Sequence, residues 1–423
     1  MKWSLQAPNT MSAALLRIAA SSLLVAVRCA STAKNLGASS AATLRASKAP
    51  SVDDFFAALS EEEALASVWR RAPTLWQSVS GAADLFCFDD AVAGAEGGLL
   101  ERACVALGDA AARGNWVSEY AAPADRAALE AALRRGTVFF NGAGLDYPKL
   151  AALAARAQAT LGLPCNANVY LTDPGREVSV SPHTDAQDVL VFQTAGRKRW
   201  RVWRPPARRR GVDPFGRGKH GDAIAPAELD EPLLDAWLEP GDVLYVPIGF
   251  PHATSTEACD AVSCHVTLGL DTYFYGLCYA TLRTVAIARA GGRDGVDPSR
   301  LDDALHDRLF APLPLGFLND GALDDAGLVD RIVADVAALN ADVAAACGVA
   351  APSLGDAAAL RTCAEFFVDH HRALVAPAKY AGVRPPAARG SVAAVAARVA
   401  KNAKNAKEEA TLRGLGEFAR PPR

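Results

Sequence analysis

Between residues 167 and 270 the hydrophobic pattern changes period, and no other feature limits the fold as strongly. NVYLTD, DVLVFQTAG, RKRWRVWRP, DVLYVPIG and AVSCHVTLGL are short runs rich in Val, Leu and aromatic residues, separated by Gly, Pro and Asp. Such runs predict strands. Helical spacing precedes them in SVDDFFAALSEEEALASVW, where a serine and acidic residues open the first turn, and again at about 98–113, 123–135 and 147–161. It returns after 273 in DALHDRLFAPL, DDAGLVDRIVADVAALNADVAAA and LRTCAEFFVDHHRALV. A β middle third with helices on both sides predicts an α+β chain. Residues 205–237, which include PPARRRGVDPFGRGKHGDAIAP, predict a long loop.

Composition narrows the function classes. About half of the 423 residues are hydrophobic, enough for a substantial core, and a formal charge of −3 gives no global case for nucleic acid. The nine cysteines are scattered without CxxC spacing, which argues against a disulfide framework or zinc finger and for buried, reduced thiols. Residues 1–50 hold Lys2, Arg17, Arg28, Lys34, Arg45 and Lys48 among Ser and Ala, with no acidic residue before Asp53. That is the composition of a transit peptide to a mitochondrion or plastid, or of a disordered tail. No apolar run reaches the roughly 20 residues needed to span a bilayer, so no membrane anchor is expected.

Two histidine-containing stretches carry the chemistry. In SPHTDAQ, alternate side chains of a strand share a face, so His183 and Asp185 are expected to point the same way. His252 follows EPGDVLYVPIGFP, where Pro240 and Gly241 turn the chain, 242–246 form a strand, and Pro247 to Pro251 fix the backbone just before the histidine. Two His and one carboxylate on one side of a metal leave its other positions open, as an iron(II) oxygenase requires. HxD alone is a weak signal, and a surface histidine is its ordinary explanation. GRKRWRVWRP strengthens it, because the pleat puts Lys198, Trp200 and Val202 on one face and Arg197, Arg199, Arg201 and Trp203 on the other. With the Trp200 face inward, Lys198 is a buried cation in need of an anionic partner such as a dicarboxylate.

NVYLTDPG, PHTDAQDVLVFQTAGRKRWRVWRPP, LEPGDVLYVPIGFPHAT and AVSCHVTLGL together resemble the JmjC/cupin ribosomal oxygenases, the family that includes the bifunctional histidyl-hydroxylase and lysine-specific demethylase enzymes. The likeness covers about 53–330, including ALASVWRRAPTLW ahead of the barrel. It implies a double-stranded β-helix (jelly-roll, cupin) barrel with flanking N-terminal helices and a C-terminal helical region. It also implies that His183, Asp185 and His252 hold Fe(II), that Lys198 pairs the distal carboxylate of 2-oxoglutarate, and that Asn168 and Thr267 lie near this cosubstrate. The implied reaction consumes 2-oxoglutarate and O2 to hydroxylate a ribosomal protein side chain, histidine usually and arginine in bacterial members; histone lysine demethylation is attributed to some members. The likeness also implies a homodimer formed through the C-terminal helices and points to the nucleus or nucleolus, whereas the N-terminal segment points to an organelle.

The chain departs from the family at Gly269, where many members have a serine two positions after the threonine, and in a tail after 377 that is short for a winged helix. These departures motivate a second reading, an inactive JmjC pseudo-enzyme that serves as a protein- or rRNA-binding module. A third is a metal-binding cupin of different chemistry, such as an isomerase, against which Lys198 argues. The expected division is a targeting or disordered segment at 1–50, a helical part at 51–139, the barrel at 140–272, a helical dimerisation-like region at 273–345 and a basic region at 346–423.

Other polar residues have blander expectations. His265 is a core or outer-sphere histidine, His220 is on a surface loop, and His370 and His371 face solvent on a helix, about 100° apart. Cys264 and His265 face opposite sides of their strand. Arg208, Arg209 and Arg210, and Lys401 with Lys404, form basic patches that are either solvated faces or phosphate contacts to rRNA.

Overall fold

A computed structural model describes residues 42–44, 51–60, 68–207, 215–219, 222–319 and 323–376. The expected targeting segment before 42, Arg208 to Arg210, His220, Lys401 and Lys404 lie outside the described residues. In chain order come β1 (Ala42–Leu44), α1 (Val52–Leu59), β2 (Thr74–Trp76), α2 (Phe88–Glu96), β3 (Cys104–Leu107), α3 (Gly108–Ala112), β4 (Ser118–Tyr120), α4 (Arg126–Arg135), β5 (Gly136–Phe140) and α5 (Pro148–Leu161). The barrel strands are β6 (Cys165–Thr172), β7 (Val180–His183), β8 (Asp188–Ala195), β9 (Lys198–Val202), β10 (Leu234–Leu238), β11 (Val243–Val246), β12 (His252–Ser255) and β13 (Ser263–Leu270). Helices α6 (Tyr279–Arg289), α7 (Asp303–Leu309), α8 (Asp325–Cys347) and α9 (Ala357–Val375) follow.

Strands β6 to β13 wind between two sheets, as a double-stranded β-helix requires. One sheet has nine strands in the order β1-β2-β11-β8-β13-β6-β5-β3-β4, the other four in the order β10-β9-β12-β7. Leu75, Val189, Val191, Trp200, Val202, Leu234, Leu238, Leu244 and Val246 fill the space between them. The opposite face of the large sheet is covered by a core that includes Phe55, Phe56, Leu129, Leu150 and Leu153 from α1, α4 and α5. Helix α1 begins in a capping box, with Ser51 and Asp54 satisfying each other's backbone N–H. Helices α6 to α9 bury Leu282, Ile332, Val336 and Phe367 in a separate cluster. No helix among the described residues is long and apolar enough to cross a membrane.

Several expectations are corrected. The helix expected over 98–113 is strand β3 followed by the short α3, because CVAL pairs with β5 on one side and β4 on the other. Backbone pairing in a sheet overrides the helix preference of an alanine-rich run. The loop at 205–237 contains a 3-10 turn at Pro226–Glu228 and reaches into β10, whose Leu234 and Leu238 are buried and which pairs antiparallel with β9. Ordered backbone starts before 51, since β1 pairs in parallel with β2 inside the segment expected as targeting or disordered. The divisions expected at 139/140 and 345/346 fall inside β5 and α8.

His370 and His371 are buried rather than solvent-facing, each against a different main-chain carbonyl. His370 Nε2 is 3.1 Å from Tyr275 O and His371 Nε2 is 2.6 Å from Gly162 O. A carbonyl only accepts, so both nitrogens carry protons, and the pair fastens α9 to the segments before α6 and after α5. The eight described cysteines are free thiols, five of them buried.

Candidate metal centre

His183 and His252 are brought together by register. Strands β7 and β12 are antiparallel neighbours in the small sheet, and the two histidines are direct cross-strand partners with ring centroids 4.3 Å apart. Asp185 is not on the strand, as the sequence pattern expected. Strand β7 ends at His183, and Asp185 lies in the four-residue link to β8, where its carbonyl accepts the Gly249 N–H at 3.0 Å from the 247–251 turn that leads to His252. One ligand atom from each of the three lies within 4.8 Å of the other two.

Each imidazole is oriented by the same local device. His183 Nδ1 is 2.9 Å from Ser181 O, and His252 Nδ1 is 3.1 Å from Phe250 O. Both Nδ1 atoms therefore donate to those carbonyls, which fixes the ring orientations and turns each Nε2 toward the cluster. Burial, then the neighbouring His252 and Lys219, holds His183 well below the usual histidine range, so it stays neutral. Burial alone raises the Asp185 carboxyl, but Lys219 and His252 outweigh it and keep Asp185 well below the usual carboxylate range. Lys219 Nζ is 2.5 Å from Asp185 Oδ1, whereas Oδ2 faces His252 Nε2 at 3.4 Å.

A cavity extends from this cluster between the sheets, lined by residues that include Trp116, Tyr170, Lys198, Trp200, His265 and Thr267. Lys198, Trp200 and Val202 are buried while Arg199 and Arg201 are not, so the pleat of β9 turns the lysine inward. Lys198 Nζ donates to Thr172 Oγ1 at 2.8 Å, and the hydroxyl chain continues to Thr137 Oγ1 at 3.0 Å and to Ser179 O at 3.1 Å. Among the described residues no carboxylate pairs with it. Burial pulls its ammonium down to about 7.

Asn168 is the cross-strand partner of Thr267, and its Oδ1 accepts the Gly142 N–H at 2.9 Å. At Gly269 an added Cβ lies 2.6 Å from Gln187 Oε1, so the Gln187 amide occupies the ground a serine needs. His265 stacks on Tyr170 at 4.9 Å and 3° and stands edge-on to Trp200. Trp116, 4.9 Å from His183, and Lys219, 5.1 Å over the Trp116 ring, were not singled out from the sequence. No local signal identifies them, because each reaches the site from a loop through tertiary contacts alone.

Residues 149–274 match the JmjC domain family. The bifunctional lysine-specific demethylase and histidyl-hydroxylase NO66 of Drosophila mojavensis is 40% identical over 123 residues, 29% of this chain and 13% of that protein. Ribosomal oxygenase 1 of Gallus gallus is 39% identical over 111 residues, 26% of this chain and 18% of that protein. The chain thus spans less than a fifth of the length of these two relatives. The structure of YcfD, a ribosomal oxygenase from Escherichia coli in complex with cobalt and 2-oxoglutarate, aligns over 48% of this chain and 49% of that one, with 22% identity and a TM-score of 0.33.

Proposed function

We propose that this chain, in which residues 149–274 are a JmjC domain, is an Fe(II)- and 2-oxoglutarate-dependent hydroxylase of a ribosomal protein side chain, histidine in the first instance. The observation that carries this reading is the cavity lined by three metal-type ligands and by a buried lysine that meets a hydroxyl and, among the described residues, no carboxylate. The donor set fits iron: two imidazoles, each anchored through Nδ1 to a main-chain carbonyl, and one ionised carboxylate. His183, Asp185 and His252 would hold the ion, and Lys198 would take the distal carboxylate of 2-oxoglutarate. Bound together, these groups supply oxidative decarboxylation of 2-oxoglutarate by O2 and transfer of one oxygen atom to a carbon of the substrate.

The chain's own residues do the rest. Lys198 fixes the cosubstrate's orientation through a charge-assisted bond. Val189, Val191 and Trp200 wall the cavity against water. Trp116 packs against His183 and carries Lys219 over its ring, so it supports the ligand end of the cavity. The binding-module alternative rests on Gly269 and on the short tail after 377; at Gly269 the Gln187 amide supplies a polar group, and the tail lies outside the described residues.

The test is succinate release by the chain with iron(II), ascorbate and 2-oxoglutarate, with ribosomal proteins scanned for the gain of one oxygen. Lys198→Met is expected to weaken 2-oxoglutarate binding by about 10- to 100-fold, the worth of a lost charged hydrogen bond. An unchanged KM for 2-oxoglutarate removes Lys198 from the reading.

A pH effect follows from the same lysine. Above about 7 the free Lys198 is neutral, and an arriving carboxylate raises its proton affinity, so binding takes up about one proton there and none well below that value. Calorimetry of 2-oxoglutarate binding to the anaerobic Co2+-loaded protein, in buffers of different ionisation enthalpy, reads this uptake. It is expected to vanish in Lys198→Met.

A further inference from the structure

Asp185 lies beyond the end of β7, so the sheet does not fix it. What lies against it is the turn FGRGK, 215–219, from the segment between β9 and β10. Thr184, between two of the proposed ligands, donates its N–H to Arg217 O at 2.9 Å, and its Oγ1 accepts the Arg217 N–H at 2.8 Å. Thr184 is 1% exposed. The next residue, Gly218, has φ +79° and approaches the strand so closely that a Cβ would sit 2.4 Å from Pro182 O and 2.6 Å from His183 Cα. Only glycine fits both the dihedral and the space.

The turn is itself held rigidly. The buried Arg217 side chain bridges Asp222 at 2.5 Å and Glu228 at 3.1 Å, and the Gly218 N–H donates to Asp222 O at 2.6 Å. Lys219 then emerges from the turn onto Asp185 Oδ1, which leaves Oδ2 facing His252. Outer groups that orient ligands are as much a part of a metal site as the ligands themselves.

We propose that Thr184 is a positioning residue for the metal centre, joining the ligand-bearing link 184–187 to the braced turn at 215–219 and so setting the direction of Asp185. The proposal rests on the metal reading above. It assigns Thr184 no contact with the ion.

The test is Co2+ binding by the full chain, read by calorimetry and by the ligand-field absorption of the bound ion. Thr184→Val keeps the shape and removes the acceptor for the Arg217 N–H. It is expected to weaken Co2+ binding by about 10-fold or more and to alter the absorption spectrum. Thr184→Ser keeps the hydroxyl and is expected to restore both. Gly218→Ala, which changes no charge and pushes the turn off the strand, is expected to act as Thr184→Val does, and it stands in should that variant not fold. Wild-type affinity and spectrum in Thr184→Val, or equal losses in the Val and Ser variants, overturn the proposal alone. A wild type that does not bind Co2+, or binds it as well after His183→Ala, overturns the metal reading and this proposal together.

Discussion

His183→Ala is expected to reduce 2-oxoglutarate-dependent succinate release to the level of a metal-free control, and to weaken Co2+ binding by more than the roughly 10- to 100-fold that an outer-shell partner costs. The size of the effect follows from the site's economy. Among the described residues the cluster holds two imidazoles and one carboxylate, so losing one ligand leaves two, and water must take its place. The ring is 6% exposed, already neutral, and has its Nε2 lone pair freed by the bond from Nδ1 to Ser181 O. Nothing about it needs rearrangement for metal binding. His265→Ala is the control, since that ring lines the same cavity and stacks on Tyr170 but is not among the three clustered ligands. It is expected to leave Co2+ affinity within a few-fold of wild type. If the two variants lose metal equally, the three-ligand assignment is wrong and the histidines act as a packed group.

The barrel was legible because its strands obey a period of two and are bounded by strong turn residues. RKRWRV sorts into buried and half-buried positions as the pleat requires. The neighbouring stretches were not legible for equally physical reasons. CVAL over 104–107 is part of an alanine-rich run, and only pairing with β4 and β5 makes it a strand. LDAWL over 234–238 sits behind prolines and glycines that mark a loop, and its strand exists because β9 offers an edge.

The site divides in the same way. The histidines' side-chain directions follow from strand pairing, but Asp185 owes its place to Gly249, Thr184 and Lys219, which are contacts between loops. His370 and His371 read as a solvated helical pair, yet both are buried against carbonyls of segments far away in sequence. Sequence periodicity reports which face of an element is apolar; it carries no information about which distant carbonyl a polar residue on that element will meet.

Asp188→Ala is expected to cost about 3–5 kcal/mol of stability, the range for a buried ion pair that loses one partner. Asp188 is fully buried, three residues after Asp185, and its two oxygens serve three donors. Oδ2 takes Arg70 Nε at 3.0 Å, while Oδ1 takes the Tyr245 hydroxyl at 2.8 Å and the Ile248 N–H at 3.1 Å. Burial, then the Asp188 carboxylate itself, pushes the Tyr245 phenol well above its usual range, so it remains a donor. Alanine strands all three donors at once and leaves a guanidinium whose remaining bonds are to Thr272 Oγ1 and Phe310 O. Ile248 begins the turn to His252, so the same carboxylate ties the start of β8 to the chain that carries a proposed ligand. Asp188→Asn keeps one acceptor oxygen, so either Tyr245 and Ile248 or Arg70 retains its bond while the amide NH2 faces the other donors, and it is expected to lose less. Urea unfolding of the metal-free variants measures both. A loss below about 1 kcal/mol in Asp188→Ala, the scale of an exposed pair, would mean that water reaches these donors once the carboxylate is gone and that the hub is not a sealed one. A large loss in stability together with weakened Co2+ binding at temperatures where the variant is still folded would show that this buried charge also holds the metal site in register.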